Sequence, residues 1–257
     1  MNTISVVTIC FNNLADLQLT CQSVDAQEVK PFEHLIINGS TNADIHNWLT
    51  TTAQPAYRDW VSEPDAGISD AFNKGVQKVR GSIIHLLNSG DIYFSADVLH
   101  IVLTQFNTTP SISWVSGKIH MQRAGIWVEV GVPFDAKQLF KGMRSVSHPT
   151  WFLKKSVYER VGYFSLKYKI AMDYDLLCRL IDEPYLFIPK TLIRFDNKGI
   201  STANYLQSLK DNTIVYESHF GYSLKSRIWQ FRQRMLFYLV ESSFGKLLYR
   251  IKMKFNK

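Results

Sequence analysis

The chain has 257 residues, of which 46% are hydrophobic, 13% aromatic and 20% charged. These values exclude global disorder and allow one sizeable hydrophobic core. The formal net charge is +7, but residues 225–257 hold nine Lys or Arg and one Glu, so the rest of the chain is nearly neutral, which excludes a typical nucleic-acid-binding protein.

The first hundred residues alternate between strand-like and helix-like patterns. The continuous β-branched run at 4–10 predicts a strand buried on both faces, as in a parallel sheet. Further strands are predicted at 34–38, 57–63 and 82–88. The helices between them carry apolar residues at helical spacing, such as Leu14, Leu17, Cys21 and Val24, or Ile68, Ala71, Phe72, Val76 and Val79. We therefore predict an α/β fold with a mostly parallel central sheet flanked by helices.

After residue 100 the pattern loosens. Segments 112–123 and 125–131 alternate apolar and polar residues across a glycine, which predicts a small antiparallel hairpin. Segment 150–162 passes from a strand into a short helix, and a further helix is indicated by Met172, Leu176, Leu177 and Leu180. The composition shifts near residue 222, so we predict a main domain of residues 1–222 and a basic amphipathic helical tail of residues 223–257.

Two polar clusters follow predicted strands at one edge of the sheet. SEPDAGISDAFNKG occupies 62–75, after the third strand, and LLNSGD occupies 86–91, after the fourth. Ligands of open parallel sheets bind beyond the carboxyl ends of the strands, and two acidic groups there can hold a divalent cation. Each segment alone could simply form a turn before a helix, but their joint position favours a ligand site.

These segments resemble the inverting family 2 glycosyltransferases, which have the Rossmann-like GT-A fold. VVTICFNN (6–13) is similar to their opening element, SEPDAGISDAFNKG to their S-E-x-D-x-G-I-x-D-A-x-N-K-G motif, and LLNSGD to their metal-binding DxD motif. AMDYDLLCRL (171–180) resembles the segment that carries the catalytic base. SHPTWF (147–152) and GISTAN (199–204) resemble elements of the colanic-acid and capsule branch, including its WcaE-type members. The resemblance covers roughly residues 3–205.

The resemblance implies roles for the matching residues. The nucleotide sugar would be bound by Thr8, Phe11, Asn12, Asn38, Asp65, Asp70, Lys74, Asn88, Ser89, Gly90 and His148. Of these residues, Lys74 would face the diphosphate. Two further residues complete the site: Asp91 would bind Mn²⁺ or Mg²⁺, and Asp173 would be the catalytic base. These roles suit the chemistry of sugar transfer. A cation stabilises the leaving diphosphate, and a partly buried carboxylate has the raised pKa that a base needs.

Two positions depart from the family pattern. Asn38 stands where the family usually has an aspartate that accepts a hydrogen bond from uracil, and an amide both donates and accepts, so the base preference is open. Gly90 replaces one of the paired acids, so metal ligation is expected to rest mainly on Asp91. These departures leave open a non-catalytic nucleotide-sugar-binding partner in a membrane assembly. A GT-A-like nucleotidyltransferase is the other alternative, although it would not need a base at Asp173.

Several side chains allow two interpretations. Asp175 competes with Asp173 for the role of base, and the two point in different directions on a helix; the family register favours Asp173. His148 is either a packed loop histidine or a contact to the acceptor or diphosphate. Arg179 is expected to anchor its helix. A plain turn and a phosphate contact are equally good interpretations of Ser201 and Thr202.

The basic tail mixes Lys and Arg with large apolar residues. Its first predicted helix carries Ile228, Phe231, Met235, Tyr238 and Leu239 at helical spacing, and its second carries Phe244, Leu247, Leu248 and Ile251. Amphipathic helices of this composition lie on anionic membranes. The alternative is that the first helix packs on the main domain and the second is solvated.

The sequence also predicts where the protein works. No apolar run approaches the ~18 residues that a membrane span requires, and the N-terminal segment lacks the basic region of a signal peptide. Cys10, Cys21 and Cys178 are widely spaced and odd in number, which favours core positions over disulfides or a zinc cluster. We expect a cytoplasmic protein, peripheral on the inner face of the plasma membrane.

The resemblance implies a metal-dependent inverting enzyme. It would transfer one sugar from a UDP-hexose or UDP-N-acetylhexosamine to a hydroxyl of a lipid-linked or oligosaccharide acceptor of a bacterial surface glycan. The processive Q-x-x-R-W signature is missing, which favours single addition over polymerisation.

Overall fold

The computed structural model describes residues 2–123, 125–143, 146–195 and 204–242. Its strands and helices, in chain order, are β1 (Ile4–Cys10), α1 (Leu14–Asp25), β2 (Glu33–Asn38), α2 (Asp44–Thr51), β3 (Arg58–Ser62), α3 (Ile68–Lys78), β4 (Ile83–Leu86), β5 (Ile92–Tyr93), α4 (Val98–Thr108), β6 (Trp114–Arg123), β7 (Ile126–Val130), the 3₁₀ helices η1 (Ala136–Lys141) and η2 (His148–Thr150), β8 (Phe152–Lys154), α5 (Lys155–Val161), α6 (Met172–Arg179), β9 (Tyr185–Arg194), α7 (Tyr205–Phe220) and α8 (Leu224–Glu241).

The strands form one nine-stranded sheet in the order β3-β2-β1-β4-β8-β6-β9-β5, with β7 paired to β6. Strands β3, β2, β1 and β4 are parallel, so Cys10, Asn38 and Ser62 are aligned at one carboxyl edge. The predicted hairpin is β6–β7, and β8, β9 and β5 join the same sheet through parallel and antiparallel pairs. The predicted α/β fold, with its mostly parallel sheet and an antiparallel element, is confirmed.

Helices cover both faces of this sheet. On one face, α3 and α6 share a core with β1 that includes Val7, Phe72 and Leu176. On the other, α1 and α2 pack on β1 and β2 through Leu17, Ile36 and Leu49. A side chain at Gly75 would overlap Val7, so this glycine lets α3 lie directly on β1. The predicted core positions of Cys10, Cys21 and Cys178 are confirmed, since all three are buried and free.

Helix α8, the first predicted tail helix, packs on the rest of the molecule. It contacts α7 and η1, with Trp229 against Phe140 and Phe237 against Tyr205. Residue 222 falls in the short connection between α7 and α8, and the division into two domains stays a prediction. The second predicted tail helix, Phe244 to Ile251, lies outside the described residues. Among the helices of the described ranges, none has the length and apolarity to cross a bilayer.

Candidate active site

Asn12 ties the loop after β1 to the loop after β2. Its backbone is left-handed, with φ of +53°, which Asn tolerates better than most residues. Its Oδ1 accepts a hydrogen bond from the Thr41 N–H at 3.1 Å, and the neighbouring Phe11 is exposed. In contrast, Thr8 is fully buried and its hydroxyl pairs with His34 Nε2 at 2.9 Å. Phe11 and Asn12 therefore lie at the strand edge, whereas Thr8 has no accessible surface with which to contact a nucleoside.

Asn38 and Asp65 meet at the ends of β2 and β3. Asn38 is buried and donates a hydrogen bond to Ser62 Oγ at 3.2 Å. Asp65 Oδ1 accepts from the Gly67 N–H at 2.9 Å, and its carboxylate lies so near Gly39 that a side chain there would overlap it. The Asp65 carboxylate thus lies against the residue that follows Asn38, because β2 and β3 end at the same edge.

Asp70 and Lys74 stabilise the start of α3. Asp70 accepts a hydrogen bond from the Ala66 N–H at 2.9 Å, and this bond lowers the pKa of Asp70. Lys74 Nζ donates to the Pro64 carbonyl at 2.6 Å and forms ion pairs of 3.3 Å with both Asp70 and Glu63. Lys74 is therefore held by its own loop, and it is not among the residues that line the cleft described next; its role at the diphosphate stays a prediction.

A cleft of about 450 Å³ opens beyond the carboxyl end of β4. Its polar lining comes from segments around the start of α1, the turn at 88–91, η2 and the start of α6, and comprises Asn13, Asp16, Asn88, Ser89, Asp91, Ser147, His148, Lys169 and Asp173. The structure thus brings together five of the predicted site residues, namely Asn88, Ser89, Asp91, His148 and Asp173.

Thr20 of α1 holds the turn at residues 88–91. Gly90 has a φ of +102°, a conformation that L-residues with a side chain rarely adopt, and its N–H donates to Thr20 Oγ1 at 2.9 Å. The Thr20 hydroxyl in turn donates to the Asp91 carbonyl at 2.8 Å. Glycine at position 90 therefore suits the positive φ of this turn.

The oxygen atoms around this turn suit Mn²⁺ or Mg²⁺. Asp91 contributes a buried carboxylate that lines the cleft. Asn88 Oδ1 and Ser89 Oγ are buried and have no hydrogen-bond partner among the described residues. Carboxylate, amide and hydroxyl oxygens are the hard ligands that these cations prefer. Over the described parts of the chain, no three His, Cys, Asp or Glu side chains form a metal-holding group, so phosphate oxygens or water would have to complete the shell.

Asp173 and Asp175 of α6 point in different directions. Asp173 lines the cleft, accepts a hydrogen bond from the Tyr174 N–H at 2.8 Å, and has its pKa raised to about 6 by burial. Asp175 is paired with Arg179 at 2.8 Å and with His219 of α7 at 2.9 Å. Arg179 also donates to a carbonyl at the end of α5 at 2.6 Å, so it anchors its helix as predicted. The geometry places Asp173, and not Asp175, at the cleft.

His148 is a packed histidine that also borders the cleft, and its contact to the acceptor or diphosphate stays a prediction. Its ring packs against Phe72 at 5.5 Å, Trp151 at 4.9 Å and Phe164 at 5.8 Å between centroids, yet it lines the cleft. Burial lowers the pKa of His148 to about 4, so the ring is neutral at physiological pH. It forms an uncharged wall of the cleft. Ser201 and Thr202 lie outside the described residues.

Two charged residues of the cleft were not predicted from the sequence. Asp16 lies one helical turn before Thr20, on the face of α1 that holds the turn at 88–91. Lys169 precedes α6 and gives the cleft a cationic side chain. An acid in the first turn of a helix is common because it interacts favourably with the helix dipole. The sequence therefore did not distinguish Asp16 as a cleft residue.

Comparison with known proteins identifies the family. No protein-family model matches the chain. An uncharacterized glycosyltransferase of Mycobacterium tuberculosis (strain CDC 1551 / Oshkosh) is 31% identical over 204 residues, which cover 78% of this chain and 77% of that protein. The chain belongs to the glycosyltransferases. A PGL/p-HBAD biosynthesis glycosyltransferase of Mycobacterium bovis (strain BCG / Pasteur 1173P2) is 26% identical to this glycosyltransferase over 219 residues, 82% and 80% of the two chains.

Solved structures share the fold of this glycosyltransferase. Staphylococcus aureus TarS 1-349 in complex with UDP-GlcNAc matches with a TM-score of 0.63 and 12% identity, over 90% of this chain and 70% of that one. Mannosyltransferase PcManGT from Pyrobaculum calidifontis, in complex with GDP-Man and Mn²⁺, matches with a TM-score of 0.60 and 12% identity, over 99% and 81%. The glycosyltransferase spans 40% of the longer TarS chain. The GT-A-like fold is confirmed, and membership of the colanic-acid branch stays a prediction.

Proposed function

We propose that this glycosyltransferase transfers one sugar from a UDP-hexose or UDP-N-acetylhexosamine to a hydroxyl of a bacterial surface-glycan acceptor, with inversion, as a family 2 enzyme. The observation that carries the proposal is that Asp173, with a raised pKa, lines the same cleft as Asp91. The UDP-GlcNAc complex of TarS and the GDP-Man complex of PcManGT support a nucleotide sugar as the donor class.

Asp173 accepts the proton of the acceptor hydroxyl in this proposal. A carboxylate with a pKa of about 6 is ionised at neutral pH and is basic enough to accept the hydroxyl proton as the new bond forms. The acceptor oxygen bonds to the anomeric carbon while the bond from that carbon to the diphosphate oxygen breaks. The electron pair leaves with the nucleoside diphosphate. A single in-line displacement inverts the configuration of the sugar.

The leaving diphosphate gains negative charge that the cleft must stabilise. Asp91, Asn88 Oδ1 and Ser89 Oγ would hold Mn²⁺ or Mg²⁺, and the bound cation supplies Lewis-acid stabilisation of the phosphate charge. Lys169 lines the same cleft and provides a further cation, the role that the sequence suggested for Lys74.

We assign Asn38 to the nucleoside at the neighbouring strand ends.

We place the reaction on the cytoplasmic face of the plasma membrane, with a lipid-linked acceptor. The support is the concentration of nine Lys or Arg in residues 225–257, because basic segments are attracted to anionic lipid.

A donor panel tests the proposal. The full chain is incubated with UDP-, GDP- and dTDP-sugars, with and without Mn²⁺, and the released products are quantified. We expect nucleoside diphosphate to be released from UDP-sugars in the presence of Mn²⁺. In a separate incubation with a sugar phosphate and a nucleoside triphosphate, release of pyrophosphate would instead indicate a nucleotidyltransferase. Donor binding with no turnover, even with candidate acceptors, would indicate a non-catalytic partner.

Asp16 is expected to support the cation. Gly90 leaves the turn with the single carboxylate of Asp91, and Asp16 brings a second one into the cleft from α1. Asp16→Asn should weaken Mn²⁺ binding by roughly 10- to 100-fold, the range seen when a supporting group of a metal site is removed. Mn²⁺ affinity is measured by electron paramagnetic resonance of the free ion. Asp44→Asn is the matched control, because Asp44 is exposed in the first turn of α2; an equal loss in both variants would contradict the assignment.

A further inference from the structure

Helix α8 differs from an ordinary surface helix, because polar residues lie on its packed face and apolar residues lie on its exposed face. The side packed on the molecule includes the buried polar residues Ser226, Gln230 and Gln233. Trp229 and Phe237 fix this side to η1 and α7, with ring centroids 6.2 Å from Phe140 and 5.5 Å from Tyr205. The packed face of the helix therefore combines buried polar residues with two aromatic ones.

The opposite side of α8 is apolar and faces solvent. Phe231 is 61% exposed and Met235 is 54% exposed. These two residues belong to an exposed stripe, which comprises Leu224, Ile228, Phe231, Met235, Tyr238 and Leu239. The members are separated by three or four residues, apart from the final pair, so they form one continuous strip along the helix. A contiguous exposed apolar strip marks an interaction surface.

Cations border this stripe on both sides. With 3.6 residues per turn, Lys225 and Arg232 lie along one edge of the stripe, and Arg234 lies along the other with Arg227, which is paired with Glu217 at 2.7 Å. The sequence beyond the described part adds five more Lys or Arg and no acid in residues 243–257. A second copy of the chain would bring the same cations face to face in a two-fold interface, which disfavours self-association. An anionic surface matches both the apolar stripe and its charged borders.

We propose that α8 is a preformed docking surface for an anionic phospholipid bilayer. The helix lies in the plane of the interface, with the stripe among the acyl chains and the bordering Lys and Arg at the headgroups. This inference rests on the proposed function in one respect: a lipid-linked acceptor supplies the reason for docking. It goes further by assigning the contact to one face of one helix.

The docking surface is connected to the catalytic helix through η1. Phe140 of η1 contacts Trp229 of α8, and the neighbouring Leu139 carbonyl accepts a hydrogen bond from the Tyr174 hydroxyl of α6. Tyr174 is next to Asp173, the proposed base. One 3₁₀ helix thus joins the helix that carries the docking surface to α6, the helix that carries Asp173.

Vesicle binding tests the assignment on the full chain. Phe231→Glu and Met235→Glu are combined and compared with a control that combines Phe32→Glu and Leu19→Glu, which changes two apolar residues of 49% and 50% exposure elsewhere on the surface. We measure co-sedimentation with vesicles of equal parts phosphatidylglycerol and phosphatidylcholine, and with pure phosphatidylcholine. The stripe variant should lose at least ~100-fold in partition to the anionic vesicles, as expected for two large side chains removed from the acyl boundary. The control should bind like the parent.

Three results would overturn the proposal. Unchanged vesicle binding of the stripe variant would place the membrane contact elsewhere. An equal loss in the control would show that the added negative charge, and not the stripe, causes the loss of binding. A change from dimer to monomer in sedimentation velocity, with vesicle binding retained, would assign the stripe to a second copy. Circular dichroism establishes that each variant is folded. Hydrolysis of UDP-sugars without vesicles is measured in parallel, so failure of docking is distinguished from failure of the proposed function.

Discussion

Asp173→Asn is expected to lower turnover by ~10²-fold or more and to leave donor affinity nearly unchanged. The amide keeps the shape of the side chain but cannot accept the proton of the acceptor hydroxyl. Donor affinity should persist because the proposed nucleoside and metal residues come from the loops after β1 to β4, not from α6. Turnover is followed by release of nucleoside diphosphate, and donor binding by calorimetry.

The pH dependence of the parent enzyme gives a second measurement of the same group. Burial raises the pKa of Asp173 to about 6. Because the ionised form is the base, kcat should level off above that pH and fall roughly ten-fold per pH unit below it. This acidic limb should disappear from the residual activity of Asp173→Asn.

Asp175→Asn is the matched control, two positions away on the same helix. This change weakens the pairing of Asp175 with Arg179 and His219, so we expect a lower melting temperature. Turnover per folded molecule should stay within a few-fold of the parent. Full activity in Asp173→Asn, with the large loss in Asp175→Asn instead, would move the base by two residues and refute the assignment.

Asp91→Ala should abolish metal-dependent donor binding, with a dissociation constant raised by at least ~10²-fold, or about 2.7 kcal/mol. Asp91 supplies the carboxylate of the turn at 88–91, and the amide and hydroxyl oxygens of Asn88 and Ser89 carry no charge with which to replace it. Calorimetric titration of UDP-GlcNAc with and without Mn²⁺ measures the effect. Donor binding without metal should be weak and similar in parent and variant.

Asp59→Ala controls for the loss of one negative charge, since Asp59 is exposed on β3. Its donor affinity should match that of the parent at the same Mn²⁺ concentration. If Asp91→Ala bound Mn²⁺ and donor as tightly as the parent, the assigned metal site would be wrong, whatever the activity of the variant.

Local patterning in the sequence was sufficient to predict the parallel half of the sheet and the edge of it at which the cleft opens. The β-branched run at 4–10 forms β1, which is buried on both faces. The polar clusters at 62–75 and 86–91 follow β3 and β4, and parallel strands must end at the same edge. The position of Asn88 and Asp91 at this edge was therefore predictable, because the alternation of strands and helices is a local pattern of the sequence.

Tertiary packing decided which charged side chains face the cleft. Lys74 lies in the strongest motif of the sequence, but it is held by Glu63, Pro64 and Asp70 of its own loop. Asp16 belongs to no motif, and it reaches the cleft because α1 packs along the turn at 88–91. The placement of Asp16 depends on a contact between segments some 70 residues apart, and no local pattern encodes it.

The orientation of α8 was likewise decided by its neighbours. The spacing of Ile228, Phe231 and Met235 identified an apolar stripe from the sequence alone, and that spacing is the same whether the stripe is buried or exposed. In the folded chain, α7 and η1 contact the face that carries Gln230 and Gln233, so the stripe remains outside. A helical pattern specifies that two faces differ, whereas only the surface that packs against the helix determines which face is left for a partner.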